Sequence, residues 1–166
     1  MNFLALDFET ANYSRDSACA LGLVRVEKNK IVDKKELLIR PPYKQFVFTY
    51  LHGISWDDVQ DVPTFKGHWK TIKPYFEGID FAVAHNASFD KGVLHACCDR
   101  YDLIAPDVEF QCTMKLSRQV FGLYPTNLKA VCNNFGIPLR HHEALSDTLA
   151  CANIMIKVLE TSKTIV

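Results

Sequence analysis

The chain has 166 residues, nineteen basic and nineteen acidic side chains, and a hydrophobic fraction of 48%. That length supports one domain with a sizeable core, so residues 1–166 are read as a single domain of ordinary soluble composition. The net charge of zero excludes a broad electrostatic field for nucleic acid but leaves room for a local basic patch.

Met1-Asn2 leads straight into the first apolar run, which leaves no space for a secretory signal peptide. No apolar run approaches the ~20 residues needed to span a bilayer. The expectation is a cytoplasmic protein with no membrane partner. Six cysteines with no Cys-x-x-Cys pair read as reduced core thiols rather than as disulfides or a structural zinc site.

The first element is a strand over about 2–9, Phe3-Leu4-Ala5-Leu6-Asp7-Phe8-Glu9-Thr10. Alternation puts Asp7 and Glu9 on one face, roughly 7 Å apart, and Leu4, Leu6 and Phe8 on the other. A strand apolar on both faces is buried and central. Two like charges at its end repel unless a cation lies between them, and hard divalent ions prefer such oxygen ligands.

Ala18–Glu27 and Lys30–Arg40 read as two further strands, broken at Lys28-Asn29 as in a hairpin and ended by Pro41-Pro42. After His52-Gly53-Ile54, a helix is predicted to start near Pro63. Its apolar face is Phe65, Trp69, Ile72 and Phe76, with Pro74 kinking the last turn and Gly78 closing it. Phe81-Ala82-Val83-Ala84 reads as a buried strand, with Ser88 as N-cap of a helix to about Arg100. Gln111-Cys112-Thr113 reads as a short strand before a helix around Met114–Val120. A further helix is predicted over Asn127–Phe135, stopped by Gly136. In the last helix Leu145, Leu149, Ala152, Ile156 and Leu159 share a face. Strands first and βα alternation later predict a mixed sheet covered by helices.

Two more carboxylates sit at element ends. Asp90 in His85-Asn86-Ala87-Ser88-Phe89-Asp90 opens one helix, and Asp147 opens the last. Each taken singly has a bland reading, since a helix N-terminus favours a carboxylate. Together Asp7, Glu9, Asp90 and Asp147 suit two divalent ions about 3.5–4 Å apart, the arrangement for in-line phosphoryl displacement. A neutral imidazole nearby, such as His142, can accept a proton from water.

These residues form three ordered motifs: Asp7-Phe8-Glu9-Thr10, His85-Asn86-Ala87-Ser88-Phe89-Asp90, and His142-Glu143-Ala144-Leu145-Ser146-Asp147. From Phe3 to about Val158 the chain resembles the DEDD superfamily of 3′–5′ exonucleases in its DEDDh, DnaQ-like branch. That branch includes the proofreading exonuclease of bacterial replicative polymerases, oligoribonuclease and ribonuclease T. The three stretches fit the family's D-x-E-T, H-N-x-x-F-D and H-x-x-x-x-D motifs.

The resemblance implies a ribonuclease H-like α/β fold, a mixed sheet of about five strands flanked by helices on both faces. It implies metal-dependent hydrolysis of the terminal phosphodiester, releasing nucleoside 5′-monophosphates, with Mg²⁺ or Mn²⁺ as two divalent ions. It makes Asp7, Glu9, Asp90 and Asp147 metal ligands and His142 the general base. The five-residue step to Asp147 selects His142 over His141, which reads as a solvent-exposed loop residue. Expected substrate contacts are Thr10, His52, Gly53, Ile54, His85, Asn86 and Phe89, although a Phe at a helix start is usually core, and His85 and Asn86 could equally serve hydrogen bonding behind the ligands.

One departure from the family pattern is Ala11-Asn12, where many proofreading members continue with Thr-Gly. Arg15 in the polar stretch that follows is available to a phosphate, but a solvated loop charge is the favoured reading. Expected partners are single-stranded or frayed 3′ ends of DNA or RNA, DNA favoured, and DNA polymerase subunits. Discrimination rests on contacts to the 2′-hydroxyl. Exposed aromatics near Phe46, Phe48 and Tyr50 suggest an interface or a lid. Two rivals remain at this point: a non-catalytic nucleic-acid-binding or polymerase-docking module of the same fold, and a plain structural α/β domain whose carboxylates cap helices.

Overall fold

The computed structural model describes residues 1–164. Strand β1 (Phe3–Thr10) lies at the centre of a five-stranded sheet of order β3-β2-β1-β4-β5. Strands β2 (Ala18–Glu27) and β3 (Lys30–Leu38) follow it antiparallel. The turn between them has positive φ at both Lys28 and Asn29, the backbone that matches the twist of a tight hairpin. Strands β4 (Phe81–Ala84) and β5 (Phe110–Cys112) add on the other side, both parallel. The mixed sheet of five strands is therefore as predicted.

Helices cover both faces. Leu4, Leu6 and Phe8 of β1 pack with Phe65 and Ile72 of α3 (Phe65–Ile72) and with Val93, Leu94 and Cys97 of α4 (Ala87–Arg100), counting the two short helices Thr49–His52 and Trp56–Val59 as α1 and α2. On the opposite face Phe3 and Ala5 meet Cys151, Ala152, Met155 and Val158 of α7 (Ala144–Thr164), flanked by α5 (Thr113–Phe121). Helix α6 (Leu128–Phe135) packs its Leu128, Val131 and Cys132 on the back of α7, at Ala150 and Ile154.

Several local expectations shift. Helix α3 is capped by Thr64, whose side chain accepts from the Gly67 amide, so Pro63 stands just outside it. Pro74 lacks the N–H that would continue that helix, and the chain tightens into a 3₁₀ turn over Lys73–Phe76. Ser88 is not an N-cap: α4 starts after Asn86, which takes a left-handed backbone with φ 69°. The predicted stripe of α7 is one part of its buried surface: Ala152 is fully buried, and Leu145, Leu149, Ile156 and Leu159 pack partly buried against the same core. Cys151, Ile154, Met155 and Val158 lie deeper than Leu145 and Leu149, because α7 is sandwiched between the sheet and α6.

One glycine decides how close α7 comes. Gly22 pairs with Asp7 across β1 and β2, so the missing side chain at 22 would have pointed to the same face as the Asp7 carboxylate. A Cβ there would collide with Thr148 Oγ1 and the Ala144 carbonyl, with its carbon at 2.7 Å. The first turns of α7 therefore rest directly on the sheet beside Asp7. Gly22→Ala is expected to destabilise the protein by about 1–3 kcal/mol through overpacking, a fall of roughly 2–4 °C in Tm per kcal/mol for a domain of this size. Thermal unfolding reads it, and an unchanged Tm would refute the close contact.

Candidate active site

Three elements converge at the carboxyl end of β1. Asp7 and Glu9 project from the face of β1 that α7 covers, next to Phe3 and Ala5. Asp147, in the first turn of α7, meets them: one carboxylate oxygen each of Asp7, Glu9 and Asp147 lie within 4.8 Å of one another. Asp90 arrives from the other side. Strand β4 pairs with β1 only as far as Ala5, which leaves the later amides of β1 without a strand partner on that edge. Asp90, 1% exposed, fills this gap by accepting the Phe8 N–H at 2.9 Å through Oδ1.

Charge at this site is held against its preference. Burial pushes the Asp7 carboxyl well above its usual range, and repulsion from Asp90, Glu9 and Asp147 adds to it. Burial and the Asp147 and Asp90 charges raise Glu9 from 4.5 to about 8. Burial raises Asp90 to about 7 in spite of the Phe8 amide, and raises Asp147 in spite of His141. Asp147 Oδ2 accepts from His141 Nδ1 at 2.8 Å and from the His142 N–H at 3.2 Å, while Oδ1 is buried with no hydrogen-bond partner. Clustered carboxylates with an orphaned oxygen are the donor set a hard divalent cation takes, so the residues present fit such an ion.

A linkage follows. These carboxyls bind protons more tightly in the folded state, so they stabilise the metal-free fold fully only below their ordinary pKa values. That stability is lost as pH rises towards 8 through the raised values of Asp90 and Glu9. With a chelator, Tm is expected to fall between about pH 4.5 and pH 8. Magnesium or manganese at about 100 times its Kd should restore roughly 2.7 kcal/mol, or about 5–10 °C, at pH 8 and much less at pH 5. Melts with and without the ion test this; equal shifts at both pH values would contradict it.

Beside Glu9 opens a cavity of about 230 Å³ lined by Phe8, Glu9, Thr10, Phe48, Leu51, His52 and Phe89. His52 is fixed at its edge: Nε2–H donates to the Thr10 carbonyl at 3.0 Å, and Nδ1 accepts the Ile54 N–H at 3.1 Å. Burial lowers its pKa, in keeping with a neutral ring. Of the expected contacts, Thr10, His52 and Phe89 line this cavity. Gly53 and Ile54 do not; Gly53, at φ 76°, ends α1 so that the chain turns back on the His52 ring. His85 and Asn86 also stand away from it. The His85 ring is held between Thr113 Oγ1 at 2.8 Å and the Thr126 carbonyl at 2.9 Å, and burial lowers its pKa to about 4. It braces β4 against the start of α5 and the approach to α6. A larger hollow of about 540 Å³ between Trp69, Phe76 and Leu103 includes none of the carboxylates.

Sequence reasoning missed three participants. His141 is exposed in its loop, as read, but it is not free of the site: it bonds Asp147, and its ring stacks on His142 with centroids 3.9 Å apart. The adjacent pair of histidines was the available signal. Phe48 and Leu51 complete the cavity wall from a segment whose aromatics suggested only a lid or interface. His142 takes a left-handed backbone, φ 70°, which His, Asn and Asp enter more often than other non-glycine residues, and its amide donates to Asp147. Burial and the neighbouring His141 lower the His142 pKa.

Comparison with known proteins places the chain in a family. A family model described as Exonuclease matches residues 4–155. The chain is 32% identical over 169 residues to a DNA polymerase III PolC-type protein of Caldanaerobacter subterraneus, covering 95% of this chain and 12% of that polymerase. The chain thus spans about an eighth of that relative's length. Among solved structures, exonuclease X in complex with 5′-overhanging duplex DNA superposes with TM-score 0.76 at 26% identity, covering 97% of this chain and 93% of the other. The nuclease domain of 3′hExo, a DEDDh family member bound to rAMP, superposes with TM-score 0.81 at 18% identity over 96% and 92% of the two chains, and shares the ribonuclease H-like fold. No described helix is long and apolar enough to cross a membrane. The chain belongs to the exonuclease family.

Proposed function

We propose that residues 1–166 act as one 3′–5′ exonuclease domain that hydrolyses the terminal phosphodiester of single-stranded or frayed 3′ ends, DNA in preference to RNA, and releases nucleoside 5′-monophosphates. The observation that carries this reading is the meeting of Asp7, Glu9 and Asp147 within 4.8 Å, with a buried, unpartnered oxygen, beside an apolar cavity.

Asp7, Glu9, Asp90 and Asp147 would hold two divalent ions, Mg²⁺ or Mn²⁺. When bound, such ions activate water and offset charge on the phosphate. The chain's own groups do the rest. Phe48, Leu51 and Phe89 enclose the terminal nucleoside and exclude water from it, while Thr10 and His52 hold its edge. His142, neutral because burial disfavours its charged form, accepts the proton of the attacking water. His141 and the His142 amide orient Asp147. His85, Asn86, Gly53 and Ile54 act behind these contacts. DNA and a polymerase partner are favoured because the PolC-type relatives are DNA polymerases and exonuclease X is solved on DNA.

The test is a product assay on 5′-labelled DNA and RNA oligonucleotides with manganese and with a chelator. A ladder shortening one nucleotide at a time from the 3′ end, lost on chelation, is the expected result. No shortening in manganese would reject the proposal in favour of a binding module.

A further inference from the structure

The hollow of about 540 Å³ opens at the end of the sheet away from Asp7 and Asp147. One wall is Trp69, Phe76 and Ile79, just ahead of β4, and the other is the loop 103–108, just ahead of β5. The carboxylates gather instead at the carboxyl end of β1, to which β4 runs parallel, so the two places stand roughly 20 Å apart along the strands. Both walls are fixed. Helix α4 ends in a Schellman turn: Asp102 takes φ 51°, its N–H donates to the Asp99 carbonyl at 3.4 Å, and the Leu103 N–H donates to the Cys98 carbonyl at 2.9 Å. Leu103 is thereby folded onto the core, and the Ala82 N–H holds the far end of the loop through the Glu109 carbonyl at 2.8 Å. Across the hollow, Arg25 Nη1 donates to the Tyr75 and Glu77 carbonyls at 3.1 and 2.8 Å.

The floor of this hollow is apolar and its rim is acidic. Trp69, Phe76, Ile79, Leu103, Ala105 and Val108 bury one side against the core and turn the other into the hollow. Ile104 stands on the rim 90% exposed, more than any other large hydrophobic side chain among the described residues. Beside it are three exposed carboxylates, Glu77, Asp102 and Asp107, against one cation, Lys73. Among the described residues none of these four takes part in an ion pair. That balance decides what fits. The phosphates of a nucleic acid, or an anionic membrane surface, meet three like charges and are repelled. A neutral apolar ligand leaves the rim unused. Apolar side chains flanked by Lys or Arg fill the floor and pair with the rim together.

We infer that this hollow is a docking site for a short segment of a partner protein, one that carries large apolar side chains beside Lys or Arg. Ile104 and the apolar floor take the apolar side chains, and Glu77, Asp102 and Asp107 take the cations. Because the hollow lies at the far end of the sheet, docking leaves the carboxylates of the candidate active site open. The inference does not depend on the exonuclease reading.

Selection of a random peptide phage library on the full chain, followed by anisotropy with the enriched peptides made synthetically and fluorescein-labelled, tests it. Enriched sequences are expected to pair Leu, Ile, Phe or Trp with Lys or Arg, and their binding should weaken as salt rises. Ile104→Ser, at a solvated position whose change leaves the fold intact, should weaken binding roughly 10-fold or more. Asp107→Lys should weaken it roughly 2- to 30-fold. Asp61→Lys makes the same change of charge at an exposed residue outside the hollow and should leave binding unchanged. Saturating peptide should leave hydrolysis of an oligothymidylate in manganese unchanged. Enrichment of acidic or purely apolar sequences, no enrichment, or binding that survives both Ile104→Ser and Asp107→Lys in folded proteins would overturn the docking site. So would a peptide that inhibits hydrolysis, or self-association of the chain that Ile104→Ser abolishes, which would make a second copy the occupant. A wild-type protein that selects such peptides yet releases no mononucleotide in manganese would refute the exonuclease reading and leave this one standing.

Discussion

Asp7→Asn is expected to abolish mononucleotide release while making the metal-free protein more stable at pH 8. Both effects have one cause. The Asp7 carboxyl is buried among Glu9, Asp90 and Asp147, and its charge is raised in energy by desolvation and by those three neighbours. Asn removes that charge with almost no change in shape, so repulsion in the metal-free protein falls. The same charge is what would draw a divalent ion. Losing several kcal/mol of transition-state charge stabilisation, at 1.36 kcal/mol per factor of ten, predicts a fall of roughly 10³-fold or more in kcat. Asp90→Asn should behave alike, because its amide oxygen can still accept the Phe8 N–H. Turnover on an oligonucleotide in manganese, with melts in chelator, measures both signs. Full activity in either variant would remove the carboxylates from the chemistry. A Tm in chelator below that of wild type would mean that they serve as structural caps.

His142 carries the second large effect. As the proposed proton acceptor it should contribute roughly 10²–10⁴-fold to kcat. The usual alanine substitution is a poor probe here, since His142 sits at φ 70°, a left-handed backbone that His and Asn enter more readily than Ala does. Asn tolerates that backbone and lacks a basic ring, so His142→Asn separates loss of the base from loss of the turn. The expected result is a 10²–10⁴-fold drop in kcat with Tm preserved. In wild type the acid limb of the rate profile should lie below the ordinary imidazole value near 6.5, because burial and His141 favour the neutral ring. His141→Ala should act through Asp147, weakening metal affinity roughly 10- to 100-fold while leaving that limb in place. If His141→Ala removes the limb and His142→Asn keeps it, the two histidines exchange roles.

Much of this was legible along the chain because it is local. Period-two alternation in Phe3–Thr10 separates the carboxylates from Leu4, Leu6 and Phe8, and the two packing faces are those of the structure. Where expectation and structure part, a distant segment intervenes. Ser88 loses the cap of α4 because Asn86 turns the chain through φ 69°. His85 is drawn away from the cavity by Thr113 and Thr126, 28 and 41 residues on. Spacing chose between His141 and His142 but could not show that both rings stack beside Asp147. Arg15 is an exposed loop charge, as read, and only the fold shows that it lies over Gly92.

The sequence by itself determined the carboxylates, their order and the sheet that carries the first two. Motif spacing and strand periodicity are properties of the chain, and alternation alone puts Asp7 and Glu9 on one face. Only the tertiary structure decided that these groups meet. Gly22, opposite Asp7, has no side chain, so α7 descends onto the sheet and brings Asp147 to within ligand distance. The short pairing of β4 leaves the Phe8 amide to receive Asp90. Such contacts join residues more than 80 positions apart and arise from packing in three dimensions, which no periodicity along the chain encodes.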